Sequence, residues 1–236
     1  MYSRLIDNEL YTFGVSGKLI RNALVMYDRQ TESLWAQILG KAVEGPLAGT
    51  ELSYVPAVHT TWADWRAQHP DTLALRKGFR GNRDSYTGYF QSGQAGILGE
   101  RNPDERLYTK EFVIGVARGD EAVAFPFRAL NETPVVNSEV GGEPIVVVFD
   151  PGSASARVFR REVSGRTLTL DSGGEKTLMD EETGSVWSVV DGKAQSGSLV
   201  GEELLQVKST AAFWFAWSDW YPQTEVFGEL AVPQGE

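Results

Sequence analysis

Apolar and polar positions alternate with a period of two along much of this chain, a pattern typical of β-strands with one buried face. The stretches SLWAQ from Ser33 and SVWSVV from Ser185 alternate in this way, and IVVVF at residues 145–149 predicts a fully buried strand. Helical patterns are scarce, and the two clearest, residues 60–70 and 212–222, each end at a proline. The predicted fold class is therefore mainly β with short helices, a β-rich α+β protein.

The same run of predicted strands and turns occurs twice. With an offset of 152, residues 26–72 align without a gap to residues 178–224, and about 17 of these 47 positions are identical. Six of the seven tryptophans fall in matched pairs. A period this long excludes a solenoid and indicates an internal duplication that gives two pseudo-symmetric halves.

The two copies predict the domain organisation. Residues 1–75 form a first copy that is N-terminally incomplete, residues 76–111 form a long connecting loop, and residues 112–236 form a second, complete copy. We expect all three to pack as one compact unit, with Tyr86, Tyr89 and Phe90 pinning the connector.

Within each copy the pattern predicts the same series of elements. A strand ends in an Asp-x-x-Thr turn, a second strand carries the first tryptophan, and a glycine-punctuated loop, a further strand and the short helix follow. The predicted loops are residues 40–49 and 192–201, and the predicted further strands are residues 51–58 and 203–210.

Composition and charge exclude several classes of function. The chain of 236 residues has no cysteine, so it holds no disulfide, thiolate zinc site or cysteine nucleophile. Its net charge is −10, with the acidic excess in residues 116–236, which disfavours binding to nucleic acid or anionic membranes. No apolar run reaches the roughly 18 residues of a membrane span. We therefore expect neither a nucleic-acid partner nor a membrane span.

Four stretches resemble DUF3179, a bacterial and archaeal domain family of unknown function. They are TFGVSGKLIRNALVMYDRQTESLWAQ from Thr12, GPLAGTEL from Gly45, HTTWADWRAQHPDTLAL from His59 and VVNSEVGGEPIVVVFDPGSASARVF from Val135. The resemblance covers nearly the whole chain. It implies a two-copy protein, usually exported, with a Tyr-Cys-Pro-x-Cys-Gly type motif on the strand before FGVSG.

The chain departs from that motif in both copies. In the second copy, Asp150 and Ser153 stand where the resemblance would place the two cysteines. In the first copy the motif would lie upstream of Tyr2, and whether Met1 is the true start is left open. We find no signal-peptide pattern in residues 1–14. The resemblance implies an extracytoplasmic location for a full-length form.

Histidine chemistry is expected only in the first copy, which holds both histidines. His59 follows a predicted strand and is a candidate proton shuttle, whereas His69 beside a proline is expected to be a capping or surface residue. A serine hydrolase would use Ser16 as nucleophile, His59 as base, and Asp28 or Asp64 as the orienting carboxylate. However, the chain has no G-x-S-x-G elbow.

A ligand site is expected on the first copy, among polar side chains that packing does not require, covered by residues 76–107. The segment GVSGKLIRN from Gly14 is interpreted either as a plain hairpin turn or as an anion-binding loop. Trp62 and Trp65 share one helix face and either bury the helix or form a stacking platform. The predicted binding residues are Arg21, Asn22, Tyr27, Arg29, Thr60, Thr61 and Trp62.

Three functional hypotheses follow from these residues. The leading one is a ligand-binding or scaffold module of an exported protein, with no catalysis by this chain. The alternatives are an esterase-like hydrolase using His59, and a metal-binding redox or assembly factor whose cysteine motif is missing here. We expect no cofactor and no metal site, a small ligand or polymer as partner, and possible homo-oligomerisation through the incomplete first copy.

Overall fold

The computed structural model describes residues 1–76 and 86–228 of the chain. Part of the predicted connector and the end of the predicted second copy lie outside these described residues. Within them the protein is mainly β, with several antiparallel sheets and four short helices, as the hydrophobic pattern predicts. No helix in this part of the chain is both long and apolar enough to cross a membrane.

The first 44 residues are largely strand. Two short strands form a hairpin, and the next four form an antiparallel meander in chain order, which we name the first meander. Arg21 and Asn22 make its first turn, both with the positive φ that a tight hairpin turn requires. The strands are β1 (Leu5–Ile6), β2 (Glu9–Leu10), β3 (Phe13–Ile20), β4 (Ala23–Asp28), β5 (Leu34–Ala36) and β6 (Lys41–Glu44).

Two short helices follow the first meander. They are α1 (Trp62–Gln68) and, within the predicted connector, α2 (Thr87–Gln91). The rings of Tyr89 and Phe90 contact the ring of Phe213 at centroid distances of 6.5 and 5.8 Å. Two of the three predicted aromatic anchors therefore fasten this part of the connector to the C-terminal segment.

Residues 112–160 form a hairpin and a three-stranded antiparallel sheet around one apolar core. The run at residues 145–149 is buried throughout, as predicted. The chain reverses at Gly119 and at the pair Gly141 and Gly142, all with positive φ. The elements are β7 (Phe112–Arg118), β8 (Glu121–Pro126), α3 (Phe127–Glu132), β9 (Val135–Val140), β10 (Glu143–Asp150) and β11 (Ser155–Arg160).

The remaining described residues form another hairpin, the second meander and a helix. Strands β14 to β17 make the second meander, in the same order as the first. Strands β18 and β19 flank the hairpin β7–β8 in a sheet of order β18-β7-β8-β19, which we name the α4 sheet. The elements are β12 (Glu162–Val163), β13 (Arg166–Thr167), β14 (Leu170–Gly174), β15 (Thr177–Asp180), β16 (Val186–Ser188), β17 (Ala194–Ser196), β18 (Thr210–Phe213), α4 (Trp214–Trp220) and β19 (Glu225–Val226).

Both meanders contain the predicted Asp-x-x-Thr turn, and in both the aspartate also binds the core tryptophan. Asp28 accepts hydrogen bonds from the backbone N–H of Thr31 at 2.6 Å and from the indole N–H of Trp35 at 2.9 Å. The same two bonds, at the same distances, recur in the second meander between Asp180, Thr183 and Trp187. Both carboxylates are buried.

Two kinds of predicted element are wrong, the same kind in each copy of the pattern. The predicted loops at residues 40–49 and 192–201 contain the short strands β6 and β17, because positive-φ glycines turn the chain on both sides of each strand. The predicted strands at residues 51–58 and 203–210 are mostly irregular. Apart from Thr210, which begins β18, they make only isolated single-residue bridges.

Each helix that follows a meander rests against a hairpin turn of the other meander. Arg21, in the β3–β4 turn, donates a hydrogen bond to the carbonyl oxygen of Asp219 in α4 at 2.5 Å. Lys176, in the β14–β15 turn, forms an ion pair with Asp64 in α1. These two contacts cross from one segment to the other and bring α1 over the strands of the C-terminal segment.

Candidate functional site

A cavity of about 280 Å³ lies where α1 meets β10, β11 and the β14–β15 hairpin. One part of its wall is apolar and includes Val135, Val148, Leu178 and Val189. The other part carries the charged and polar side chains of Asp64, Gln68, Asp150, Arg157, Glu175 and Lys176. We name this space the α1 cavity. A concave site with an apolar wall and a few convergent polar groups is typical of small-molecule sites.

Asp64 is saturated by neighbouring donors. Its carboxylate pairs with Lys176 and accepts hydrogen bonds from the hydroxyl of Thr60 at 2.8 Å and from the side-chain amide of Gln68 at 2.5 Å. The hydrogen bond from Lys176 is the main reason that the pKa of Asp64 lies below its ordinary value. Asp64 and Lys176 therefore neutralise one another, and neither supplies a free charge to the α1 cavity.

Among the buried charged groups of this wall, Arg157 is the one whose hydrogen-bonding capacity is least used. Its residue is 8% exposed, and among the described residues its side chain makes one hydrogen bond, to the side-chain oxygen of Gln68 at 3.4 Å. A guanidinium has five N–H donors and stays charged at neutral pH. Burial lowers the pKa of Arg157, while Asp64 and Asp150 act in the opposite direction. The α1 cavity is thus lined by a cation with unused donors.

Asp150 and Ser153, the positions where the resemblance implies cysteines, form a turn beside the α1 cavity. The carboxylate of Asp150 accepts from the backbone N–H of Gly152 at 2.9 Å and from the hydroxyl of Ser153 at 2.7 Å. This hydroxyl also bonds that of Ser155 at 3.0 Å. Both Asp150 oxygens are therefore used inside the turn, which holds its own shape without a ligand.

The predicted catalytic residues make no hydrogen bond to one another in the part of the chain that the structure describes. Ser16 donates its hydroxyl to the carbonyl oxygen of Val25 at 2.6 Å. Asp28 is buried and occupied by its turn and by Trp35. His59 is exposed, at the rim of a separate 210 Å³ cavity. The hydrolase hypothesis stays a prediction that no contact supports.

Arg21 and Asn22, predicted to bind a ligand, bind the protein itself. The guanidinium of Arg21 also lies over the ring of Trp220, 5.3 Å from its centroid. The side chain of Asn22 accepts from the backbone N–H groups of Ile97 and Leu98 at 2.9 and 2.8 Å, and donates to Gly99. The connector therefore contacts Asn22 and α4 contacts Arg21, and these contacts take up the donors and acceptors that a ligand would need.

The other predicted binding residues divide between two surfaces. Arg29 lies over the ring of Tyr27 on the first meander and donates to the carbonyl oxygen of Phe13 at 2.6 Å. Thr61 caps α1, and Trp62 is 53% exposed at the start of that helix. Thr60 is the residue of this set that contacts the α1 cavity network, through Asp64.

The sequence interpretation missed Arg157, Gln68 and Lys176. Arg157 had a local signal, since it is a charged residue between small and apolar residues in the interior of β11. Gln68 and Lys176 had none, because they approach Arg157 only through the packing of α1 on a hairpin more than a hundred residues away. Among the described residues, no group of three or more histidine, aspartate or glutamate side chains is placed to hold a metal ion.

Comparison with known proteins gives one match. A family model described as a protein of unknown function, DUF3179, matches residues 1–224. No curated protein and no solved structure matches the chain.

Proposed function

The chain belongs to the DUF3179 family, whose function is unknown, and from this premise we propose that it is a binding module for a small organic anion. The ligand is held in the α1 cavity, with its carboxylate on Arg157 and its apolar part against Val148 and Leu178. No step of catalysis is assigned to this chain.

The observation that supports this proposal is that Arg157 is buried with most of its hydrogen-bond donors unused. Burying a charged group costs free energy unless ion pairs and hydrogen bonds replace the water it loses. The nearby carboxylates of Asp64 and Asp150 are already occupied, by Lys176 and by the turn to Ser153. A ligand carboxylate would supply the missing acceptors, and a planar guanidinium matches a carboxylate in bidentate geometry.

The shape and charge of the α1 cavity narrow the ligand class. A volume of about 280 Å³ is at the lower end of the range for small-molecule sites. Among the described residues of the wall, Arg157 is the cation with unused hydrogen-bond donors, so a ligand with a single carboxylate is a better match than a phosphate or a dicarboxylate. The apolar wall favours an aromatic or short aliphatic body. Benzoate and hexanoate have this chemistry and serve as probes.

We propose further that the chain is an internal duplication of two like-built halves in one compact unit, divided at residues 75 and 112. The support is the set of matched contacts: two meanders of the same strand order, two aspartate–tryptophan bonds, and two helices each resting on the opposite turn. In this arrangement the C-terminal half is the scaffold that carries Arg157, and the N-terminal half closes the α1 cavity with α1.

Benzoate is expected to raise the melting temperature of the wild-type protein, because a ligand that binds only the folded state stabilises it. At about a hundred times its Kd the gain is about 2.7 kcal/mol, or several degrees. Arg157→Leu should remove the shift, and Arg166→Leu, which alters an exposed arginine on β13, should keep it. The measurement is thermal unfolding with benzoate, hexanoate and benzylamine.

Arg157→Leu is itself informative without ligand. Replacing a poorly paired buried cation by an apolar side chain is often neutral or stabilising, so the variant should fold and melt at the same or a higher temperature. An equal benzoate shift in Arg157→Leu, an equal shift with benzylamine, or no shift with either carboxylate would refute the anion site.

A further inference from the structure

Helices α1 and α4 have the same local conformation but different surroundings. In α4 the indole N–H of Trp217 donates to the hydroxyl of Thr224 at 2.9 Å, and the rings of Trp217 and Tyr221 lie 4.3 Å apart. In α1 the counterparts make the same contacts at 3.0 and 4.0 Å; they are Trp65, Thr72 and His69. The C-terminal ends of both helices also share nearly the same backbone angles. The local contacts of α1 with the residues that follow it are therefore complete, as they are in α4.

The α4 sheet shows what covers such a helix. The hairpin β7–β8 lies between β18, which pairs with it antiparallel, and β19, which pairs with it in parallel. Trp217 packs on Gly115 of β7, where an added Cβ would lie 2.4 Å from the indole ring. Trp217 is 1% exposed, and Trp214, which also contacts Asp104 and Arg106 of the connector, is 0% exposed.

Among the residues that the structure describes, no such hairpin lies between the segments that flank α1. By the offset of 152, residues 58–61 and 73–74 correspond to β18 and β19. Within the described residues, the backbone of residues 58–60 and 73–75 makes no hydrogen bond to other backbone groups. Trp62 and Trp65 are 53% and 36% exposed, and Leu73 is 94% exposed. An open groove runs along this face, lined by Val58, His59, Thr60, Thr61, Trp62 and Trp65. Two backbone segments with free N–H and C=O groups and an aromatic helix face thus lie where the α4 sheet has β18, β19 and α4.

We infer that this space, which we name the α1 slot, is a docking site for an antiparallel β-hairpin that the described residues do not supply. One strand of the hairpin pairs antiparallel with residues 58–60, and the other pairs in parallel with residues 73–75. Main-chain hydrogen bonds at exposed strand edges are a recurrent mode of peptide recognition. The inference concerns a face of α1 other than the one that closes the α1 cavity, and does not depend on the anion site.

The β7–β8 hairpin, which covers α4, indicates the chemistry expected of the hairpin that binds the α1 slot. Its inward side chains are apolar, and the position that meets Trp65 is a glycine or another residue too small to displace the indole, as Gly115 is for Trp217. A second copy of this chain is a poorer partner. Its own β7–β8 hairpin is already held by β18, β19 and α4, so it would have to open first.

The test uses a fluorescein-labelled peptide with the sequence of residues 110–127 of this chain, KEFVIGVARGDEAVAFPF. We expect saturable binding to the wild-type protein by fluorescence anisotropy. Binding should weaken by roughly 30-fold in Trp65→Ala, the loss typical of a truncated aromatic anchor. The Val200→Ala variant, which alters an exposed residue outside the α1 slot, should bind as the wild type does. A peptide with valine in place of Gly115 should bind at least about tenfold more weakly.

Hydrogen exchange separates strand pairing from non-specific apolar contact. Bound peptide should slow exchange at the amides of residues 58–60 and 73–75 and leave the amides of β7 and β8 unchanged. The inference is refuted if the peptide does not bind, if both peptides bind equally, or if the flanking amides stay unprotected. It is refuted equally if light scattering shows a dimer of this chain that buries Trp62 and Trp65 instead.

Discussion

Trp217→Ala should destabilise the protein by about 3–5 kcal/mol, the range for removing a large buried aromatic side chain. The residue is 1% exposed and fills the space between α4 and Gly115, so its loss leaves a void lined by Val113 and Ala124. It also leaves the hydroxyl of Thr224 without the indole donor. Urea denaturation followed by far-UV circular dichroism gives the change in the free energy of unfolding.

Trp65→Ala is the matched control for that loss. The two tryptophans make the same local contacts, but Trp65 is 36% exposed and packs against no sheet. Its replacement should cost about 1 kcal/mol or less. Equal costs for Trp65→Ala and Trp217→Ala would mean that α1 is already covered in the isolated chain, which would contradict the open α1 slot.

Asp180→Ala should destabilise the protein by about 3–4 kcal/mol, because it leaves one buried and one part-buried donor without an acceptor. The donors are the indole N–H of Trp187 and the backbone N–H of Thr183, at 2.9 and 2.6 Å from the carboxylate. Trp187 is fully buried in the core of the second meander, so water cannot replace the lost acceptor. Chemical denaturation at pH 7 measures the effect.

Three further substitutions serve as comparisons for Asp180→Ala. Asp28→Ala should have a similar cost, since it removes the same two bonds from the first meander. Asp180→Asn retains an acceptor and should cost less, and Asp171→Ala changes an exposed residue of β14 and should have little effect. A cost below about 1 kcal/mol for Asp180→Ala would show that these buried bonds do not stabilise the meander.

Asp28, the aspartate of the first meander, makes the stability of the protein depend on pH. Burial favours protonation of Asp28, but the hydrogen bonds from Trp35 and Thr31 outweigh it, so the pKa of Asp28 lies below its ordinary value. The contribution of Asp28 to stability is therefore complete above the pKa of an unfolded aspartate. It is lost as the pH falls through the lower, folded-state pKa.

Local features of the fold could be predicted from the sequence. The spacing from Asp28 to Thr31 gave the turn, the β-branched run at residues 145–149 gave the buried strand, and prolines marked the ends of both helices. The strands predicted at residues 51–58 and 203–210 were wrong for a physical reason. Alternation of apolar and polar residues reports that one face is buried, and it does not report whether a neighbouring strand is in hydrogen-bonding register.

The candidate site could not be predicted because it is made by contacts between distant parts of the chain. Trp62 and Trp214 have similar sequence contexts, yet they are 53% and 0% exposed. The hairpin and the connector residues that cover α4 have no counterpart over α1 among the described residues. Arg157 likewise becomes a buried cation only when α1 closes over β11. The polar residues chosen from the first copy were instead used to join the two segments, as Arg21 and Asn22 show.

The most direct test of the anion site observes the guanidinium of Arg157 itself. In protein labelled with ¹⁵N, the side-chain Nε–Hε resonance of Arg157 is assigned by its loss in Arg157→Leu and then followed during titration with benzoate. We expect this resonance to move to saturation while that of Arg166 stays in place. If the Arg157 resonance does not move, or if both move together without saturating, the α1 cavity does not bind carboxylates.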